Sequence, residues 1–471
     1  MTLKVFNTLT RQKEKFIPLK GKRVNMFVCG PTVYDFSHLG HARTYVAFDV
    51  IARYLRYKGY SVFYLMNITD IDDKIINRAN EKKISAEKLA EEFLIEFFKD
   101  IKALKIESVN LYQKATDFIP EIISQVNGLV EKGYAYEVNG DVYYEVKKFS
   151  EFGKLSKQSL EELIAGARVE VDKKKKNPED FVLWKKQKKG EPFWNSPWSN
   201  GRPGWHIEDT AISITHFGEQ YDIHGGAIDL IFPHHEAEIA IAESLTGKKP
   251  FVKYWLHTGF LKVNGEKMSK SLGNFITIRE LLKRYDAMVL RFFLLYTHYR
   301  SPIDFTYEFL DEAKNAWQYI KDTFSRIEEI TKVKKDKSKI SKTDKKILLL
   351  MKKTKDEFIK SMDDDFNTRE AISKIFDFTR EVNKFIDEIS ETAANKILNF
   401  YIELCNILGL EFYERKESSM EDKLIQIIVM IREKLRAKKD FETSDLIREK
   451  LKEIGIILGD DKGGVKVIKK Y

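Results

Sequence analysis

At 471 residues, 43% of them hydrophobic and 32% charged, the chain is too long for one core and should fold as two to four domains. Its two cysteines, Cys29 and Cys405, lie far apart, which excludes a disulfide framework and fits a reducing compartment. The formal net charge of +9 suits a polyanionic partner, yet Lys332 to Lys355 alone carries eleven lysines against two aspartates, so the rest nearly balances. For that run a solvated helix surface stands slightly ahead of direct polyanion contact.

The N-terminus (Met1 to Phe16) is polar and lysine-bearing, without the apolar core of a signal peptide. The longest apolar runs, such as Ile425 to Ile431, are too short for a membrane span. We therefore expect a soluble cytoplasmic protein with no membrane contact.

Asn25 to Cys29 predicts a short buried strand, Ala42 to Tyr57 a helix with Val46, Val50 and Ile51 on one face, and Tyr60 to Asn67 a second strand. Strand, helix, strand at this spacing is a βαβ unit, hence a parallel sheet with ligands at the carboxyl ends of its strands. Between the first strand and the helix stands Ser37-His38-Leu39-Gly40-His41-Ala42-Arg43. A helix N-terminus offers free N–H groups and partial positive charge to a phosphate. Gly40 lets an adenine ring lie on the backbone, and His38 and His41 are placed to donate hydrogen bonds to a phosphate undergoing substitution. Taken alone, the tetrapeptide reads equally well as a helix cap with incidental histidines.

From about Leu111 to Asn200 the alternation is interrupted by a strand (Asp141 to Lys148), a lysine run (Lys173 to Lys176) and a Trp/Pro-rich loop. This reads as an insertion between two halves of a nucleotide-binding fold. Gln220 to His224 predicts a strand, and a helix opened by Pro233 resumes the pattern. On that helix His234 and Glu238 sit one turn apart on the same face, the spacing for two ligands of one ion. Further on, Lys267-Met268-Ser269-Lys270-Ser271 carries two lysines three apart on a loop, able to clamp two phosphates as pyrophosphate leaves. Alone it is equally a solvated basic loop.

All ten prolines lie at or before Pro302 and all nine histidines at or before His298. The 169 residues beyond Pro302 hold no proline and five glycines, and Trp317, Ile320, Phe324 and Ile327 recur at helical spacing. A turn-rich first part is thus followed by a helical one. Near the end, Arg432, Arg436, Lys438 and Lys439 precede Phe441, with Arg448 and Lys450 after it. Basic residues around an aromatic suit phosphate contact and base stacking, and suit equally the solvated face of an amphipathic hairpin.

The His-Leu-Gly-His and Lys-Met-Ser-Lys-Ser pair resembles the signatures of class I aminoacyl-tRNA synthetases. Further stretches narrow the resemblance to the cysteinyl-tRNA synthetase family: Phe6-Asn7-Thr8-Leu9, Cys29-Gly30-Pro31-Thr32-Val33-Tyr34, Asn67-Ile68-Thr69-Asp70-Ile71-Asp72-Asp73-Lys74, Gly201-Arg202-Pro203-Gly204-Trp205-His206-Ile207-Glu208, and Phe232-Pro233-His234-His235-Glu236. It continues through Met362-Asp363-Asp364-Asp365-Phe366-Asn367-Thr368 and covers nearly the whole chain.

The resemblance implies an α/β Rossmann-like catalytic fold in two parts (1–110 and 201–260) with an inserted domain (111–200) and a signature-loop region (261–305). An all-α bundle (306–415) and a small C-terminal anticodon-binding domain (416–471) follow. It implies a monomeric ligase that activates L-cysteine with ATP and Mg2+ and transfers it to tRNA(Cys). Catalysis falls to His38, His41, Lys267 and Lys270, with Gly40, Lys270 and Asp229 on ATP and Thr69, Asp70 and Trp205 on the amino acid. The family's Zn2+ is held by two cysteines, a histidine and a glutamate. Cys29, His234 and Glu238 match, whereas position 209 is Asp, which keeps the ligand charge and is itself an acceptable zinc ligand. Rival readings are a related ligase that passes cysteine to an amino sugar, and a silent RNA-binding relative. The lysine-rich C-terminal third argues against the first, and the intact His38, His41, Lys267 and Lys270 against the second.

Overall fold

The computed structural model describes residues 2–159, 174–268, 273–332, 341–413, 420–437, 440–453, 456–461 and 464–469. In chain order the elements are β1 (Lys4–Asn7), β2 (Gln12–Lys15), β3 (Arg23–Val28), α1 (Leu39–Tyr57), β4 (Ser61–Ile68), α2 (Asp73–Lys82), α3 (Ala86–Ala103), β5 (Leu111–Lys114), α4 (Ile119–Glu131), β6 (Ala135–Val138), β7 (Asp141–Tyr144), β8 (Phe181–Lys186) and β9 (Gly201–Pro203). Then come α5 (Trp205–Phe217), β10 (Tyr221–Ala227), α6 (Glu236–Thr246), β11 (Val252–Thr258), β12 (Leu261–Val263), β13 (Glu266–Lys267), α7 (Ile278–Leu282), α8 (Ala287–Leu295) and β14 (Ile303–Phe305). The helices α9 (Tyr307–Lys332), α10 (Lys342–Asp363), α11 (Thr368–Lys384) and α12 (Glu391–Leu408) precede α13 (Met420–Ala437), α14 (Phe441–Glu453), β15 (Ile456–Asp461) and β16 (Gly464–Lys469).

The central sheet has the order β11-β10-β3-β4-β5, with every neighbouring pair parallel. This is the doubly wound arrangement, and its direction of winding reverses between β3 and β10, where such sheets bind ligands. Period-two alternation sorts the strand residues between two apolar cores. Val24, Met26 and Val28 of β3, with Tyr64 and Met66 of β4, pack in the core that contains α1. Phe27, Cys29 and Leu65 enter the other core, which contains residues of α5 and α6. Cys29 is therefore committed to the α5/α6 side.

The inserted sheet β6-β7-β8-β9 is antiparallel throughout. Its limits differ from the expected 111–200. Leu111–Lys114 pairs in parallel with β4 as the edge of the central sheet, and Gly201–Pro203 closes the inserted one. The strand expected over Asp141–Lys148 stops at Tyr144 because the Val146 N–H bonds the Asp180 carboxylate and leaves the ladder. The lysine run opens on Lys173, which lies outside the described residues.

After β14 the chain is helical as expected, and Trp317, Ile320, Phe324 and Ile327 are all buried. Two compact units result, 1–412 and 413–471. In the second, α13 packs on α14, and α14 on β15. The hairpin β15–β16 corrects the all-helical expectation there. Val465 and Val467 alternate with lysines, and Ile456 and Ile457 are β-branched, both strand signals. No helix among the described residues is long and apolar enough to cross a membrane.

Candidate active site

The first signature sits at the head of α1, at the carboxyl end of the central sheet. His38 is the N-cap: its Nδ1 accepts the His41 backbone N–H (3.3 Å), while the Nδ1 of His41 accepts the His38 backbone N–H (3.4 Å). The rings stack with centroids 3.7 Å apart. An imidazole that accepts through Nδ1 is neutral and carries its proton on Nε2, so both histidines present Nε2–H as the donating nitrogen. Burial, then the neighbouring His38 and Lys74, hold His41 well below the ordinary histidine pKa, in keeping with a neutral ring. A side chain at Gly40 would meet the His38 ring at 2.9 Å, so glycine there makes room for the histidine pair.

The segment that follows the second signature is brought to the same place. Leu39 N–H bonds the Ile276 carbonyl and Ile278 N–H bonds the Ser37 carbonyl, each at 3.0 Å. Lys267 is exposed at the end of β13, and Lys270 lies outside the described residues. The buried guanidinium of Arg43 donates to the carbonyls of Leu294, Thr297, His298, Tyr299 and Ser301. It thereby fixes the segment leading to β14, which pairs with β12 at the base of the signature loop.

Cys29, Asp209, His234 and Glu238 converge on the α5/α6 side of β3, all buried, with ligand atoms within 4.8 Å of one another. Cys29 Sγ is 3.3 Å from Asp209 Oδ2, and His234 Nε2 is 3.2 Å from both Asp209 Oδ2 and Glu238 Oε1. The helix carrying Glu238 begins at Glu236 and not at Pro233; residues 231–235 form a wider turn before it, and the one-turn relation of His234 to Glu238 survives. Burial pushes the Cys29 thiol well up, with Asp209 and Glu238 adding to it, and burial followed by Asp209 does the same to the Glu238 carboxyl. Neither Glu238 oxygen has a hydrogen bond among the described residues. One thiol and two carboxylates thus crowd a buried site around the His234 imidazole, a donor set suited to a divalent cation.

Several contributors escaped the sequence reading. His224 and His235 place their Nε2 atoms 3.3 and 3.1 Å from Cys29 Sγ, and with Glu238 they form a second, overlapping donor set. Behind them, His235 Nδ1 lies 2.8 Å from His257 Nε2, and His257 Nδ1 lies 2.8 Å from the Thr8 hydroxyl. Asn67 donates to Asp209 Oδ1 and accepts the Gly30 N–H, both at 2.6 Å. Gly30 admits no side chain, since a Cβ there would lie 1.7 Å from the Asn67 carbonyl oxygen. The available signal was strand alternation, which aims residue 67 to the same side as residues 29 and 65.

The remaining expected residues are distributed around this centre. Trp205 is 37% exposed and stacks on the His234 ring (4.1 Å between centroids), so it is a wall and not core. Thr69 is buried at the end of β4. Asp70 is turned away, accepting the Thr116 N–H at 3.0 Å and its hydroxyl at 2.6 Å. Asp229 is exposed just after β10.

The profile of the family described as "tRNA synthetases class I (C) catalytic domain" matches residues 15–315, and that of the "DALR domain" residues 357–413. The chain is 49% identical to a cysteine–tRNA ligase of Thermococcus onnurineus over 98% of both chains. It is 48% identical to one of Carboxydothermus hydrogenoformans, over 98% of this chain and 99% of that one. Among solved structures, Mycobacterium tuberculosis methionyl-tRNA synthetase in complex with methionyl-adenylate superposes at a TM-score of 0.60 (16% identity; 82% of this chain, 89% of that one). The Agrobacterium radiobacter K84 agnB2 LeuRS–tRNA–LeuAMS complex does so at 0.62 (11%; 84% of each). These two likenesses establish the fold alone. With residues 15–315 matching the catalytic-domain profile and its relatives aligned over nearly their whole length, the chain belongs to the cysteine–tRNA ligase family of class I tRNA synthetases.

Proposed function

We propose that this protein activates L-cysteine with ATP and transfers it to the 3′-terminal adenosine of tRNA(Cys). The observation that supports the reading is the hydrogen bonding of Ser37 and Leu39, at the first signature, to Ile276 and Ile278 on the segment after the second, beside the buried thiol–carboxylate–imidazole cluster on the other face of the sheet. In the first step the cysteine carboxylate attacks the α-phosphate of ATP in line and pyrophosphate departs. The Nε2–H groups of His38 and His41 donate to phosphate oxygens as charge builds, while Lys267 and Lys270 neutralise the departing phosphates. Asp229 accepts the ribose hydroxyls, and Thr69 and Trp205 bound the amino acid. In the second step the terminal hydroxyl of tRNA attacks the activated carbonyl and AMP leaves. No side chain acts as a covalent nucleophile; positioning and fixed dipoles carry both steps. Residues 413–471 supply the anticodon-reading unit.

Cys29, Asp209, His234 and Glu238 would hold Zn2+, which takes a thiolate as ligand far more readily than a serine hydroxyl and so supplies selectivity that shape alone does not. Mg2+ would accompany the phosphates. Pyrophosphate exchange should require cysteine, proceed without tRNA, fail with serine and fall on chelation. Equal exchange with serine, or none with cysteine, defeats the reading. X-ray absorption of the zinc form discriminates the two donor sets. One sulfur, one imidazole and two carboxylates are expected, against the two imidazoles and one carboxylate of the set built on His224 and His235.

A further inference from the structure

Past the second signature the chain crosses the head of α1 as a short strap, residues 275–278. Its backbone bonds to the Leu39 N–H and the Ser37 carbonyl straddle His38, and the Phe275 and His38 rings meet edge to face with centroids 5.1 Å apart. The strap and the stacked His41 ring are thus both in contact with His38. Ile278 and Leu281 sink into the core beneath α7, an apolar hold that is not directional. Thr277 and Glu280 bond each other, which closes the turn of α7 without tying it to a neighbour. The directional hold falls to Arg279. Its Nη1 donates to the Glu96 carboxylate, and its Nη2 to Asp100 Oδ1 (3.1 Å) and the Glu96 carbonyl (3.3 Å), all on α3. The same guanidinium lies over the ring of Phe36, two residues before His38, at 4.2 Å, and Phe36 in turn meets Phe93 of α3 edge to face.

We propose that Arg279 is a positioning residue for amino-acid activation: its guanidinium sets the strap against the His38 ring and so fixes where the Nε2–H of that ring is aimed. One planar group joins three segments, namely α3, the approach to His38 and the strap that covers it. A planar fork bonds acceptors on a helix with its edge while its face covers a ring; a lysine ammonium, a point charge on a flexible stem, does not. The terminal nitrogens of Arg279 are engaged by α3, so the residue acts on the reaction through His38 and not by touching ATP. A displacement of about 1 Å at a group that meets the reacting atoms costs roughly 100-fold in rate, so a clamp one segment away is enough to matter.

This assignment rests on the amino-acid-activating reading above. The test is a double-mutant cycle between Arg279 and His38, read by cysteine-dependent pyrophosphate exchange in the full chain. Arg279→Lys keeps the charge but loses the fork and the stack, and should lower kcat roughly 10–100-fold with the cysteine KM little changed. In a His38→Ala background the same substitution should cost no more than about twofold further, because the ring it positions is gone. Glu96→Gln weakens the same clamp from α3 and enters the same cycle, so the outcome does not hang on one variant. It should lower kcat by a smaller factor and lose its effect in the His38→Ala background likewise. A role confined to stability would leave kcat of the folded variants unmoved, or lower it equally in both backgrounds. Additive losses in the cycle, an unchanged kcat in Arg279→Lys, or a loss carried by the cysteine KM alone overturns the assignment. Absence of cysteine-dependent exchange in the unaltered protein would instead remove the parent reading.

Discussion

Asn67→Ala removes two 2.6 Å hydrogen bonds at once, one accepted from the Gly30 N–H and one donated to Asp209 Oδ1. Asn67 and Asp209 are both buried, so water does not readily replace either bond. Taking about 1 kcal/mol for the neutral bond and roughly 1.5–3 kcal/mol for the charge-assisted one gives roughly 2.5–4 kcal/mol of lost stability. Asp209 also loses the group that aims its second oxygen. Zinc affinity should therefore fall by roughly 10–100-fold, the usual cost of removing a partner that orients a ligand. The two effects separate in Asn67→Asp. That variant restores an acceptor for the Gly30 N–H but faces Asp209 with a second carboxylate, and it should hold metal no better than Asn67→Ala. Denaturant unfolding of the metal-free protein measures the first effect, and competition with a chromophoric chelator the second. Unaltered zinc affinity in a destabilised Asn67→Ala would refute the claim that this amide orients a metal ligand.

Burial, and to a lesser degree Arg11, pushes His257 down to about 3, below its unfolded value of about 6.5. The unfolded chain thus binds the extra proton between those values, and stability present above pH 6.5 is lost as pH falls towards 3, at up to about 1.4 kcal/mol per pH unit. His257→Asn should flatten the pH dependence of unfolding of the metal-free protein by that amount, and an unchanged slope would count against a neutral, buried ring. Arg291 is fully buried against Asp49 (2.8 Å) and donates to the Leu104, Lys105 and Leu408 carbonyls. Because Arg53 still pairs with Asp49, Arg291→Met should cost about 3 kcal/mol in denaturant unfolding, the low end for a broken buried pair, and a loss under about 1 kcal/mol would contradict it. A chain ending at Phe412 should keep cysteine-dependent exchange but charge tRNA poorly and with a shallower salt dependence. Normal charging by that chain would reassign the last unit.

What could be read from the sequence was what repeats locally. The strand at Asn25–Cys29, the helix to Tyr57 and the buried stripe Trp317, Ile320, Phe324 and Ile327 each declare themselves within a few turns or residues. Spacing offered only His234 and Glu238; Cys29 and Asp209 came from resemblance, because they sit on separate elements whose register is set by the whole sheet. Asn67, His224, His235 and His257 escaped the sequence reading for the same reason, and with them the alternative set of Cys29, His224, His235 and Glu238. Asp70 looked like a substrate residue because it adjoins Thr69. The chain turns as β4 ends, and that turn delivers it to Thr116. The C-terminal hairpin was hidden by its context, two short strands following a long helical stretch.

The reciprocal bonds between His38 and His41 have a consequence for how these two positions can change. Each ring caps the helix and is proposed to donate to phosphate, and each depends on the other's backbone to stay in the donating tautomer. Loss of one ring would remove its proposed contact with ATP and the stacking partner of the other, 3.7 Å away between centroids, while the backbone N–H that fixes the other ring's tautomer remains. A double-mutant cycle across them should therefore return only the coupling of the stacked rings, and either position can change without costing its neighbour the donating tautomer.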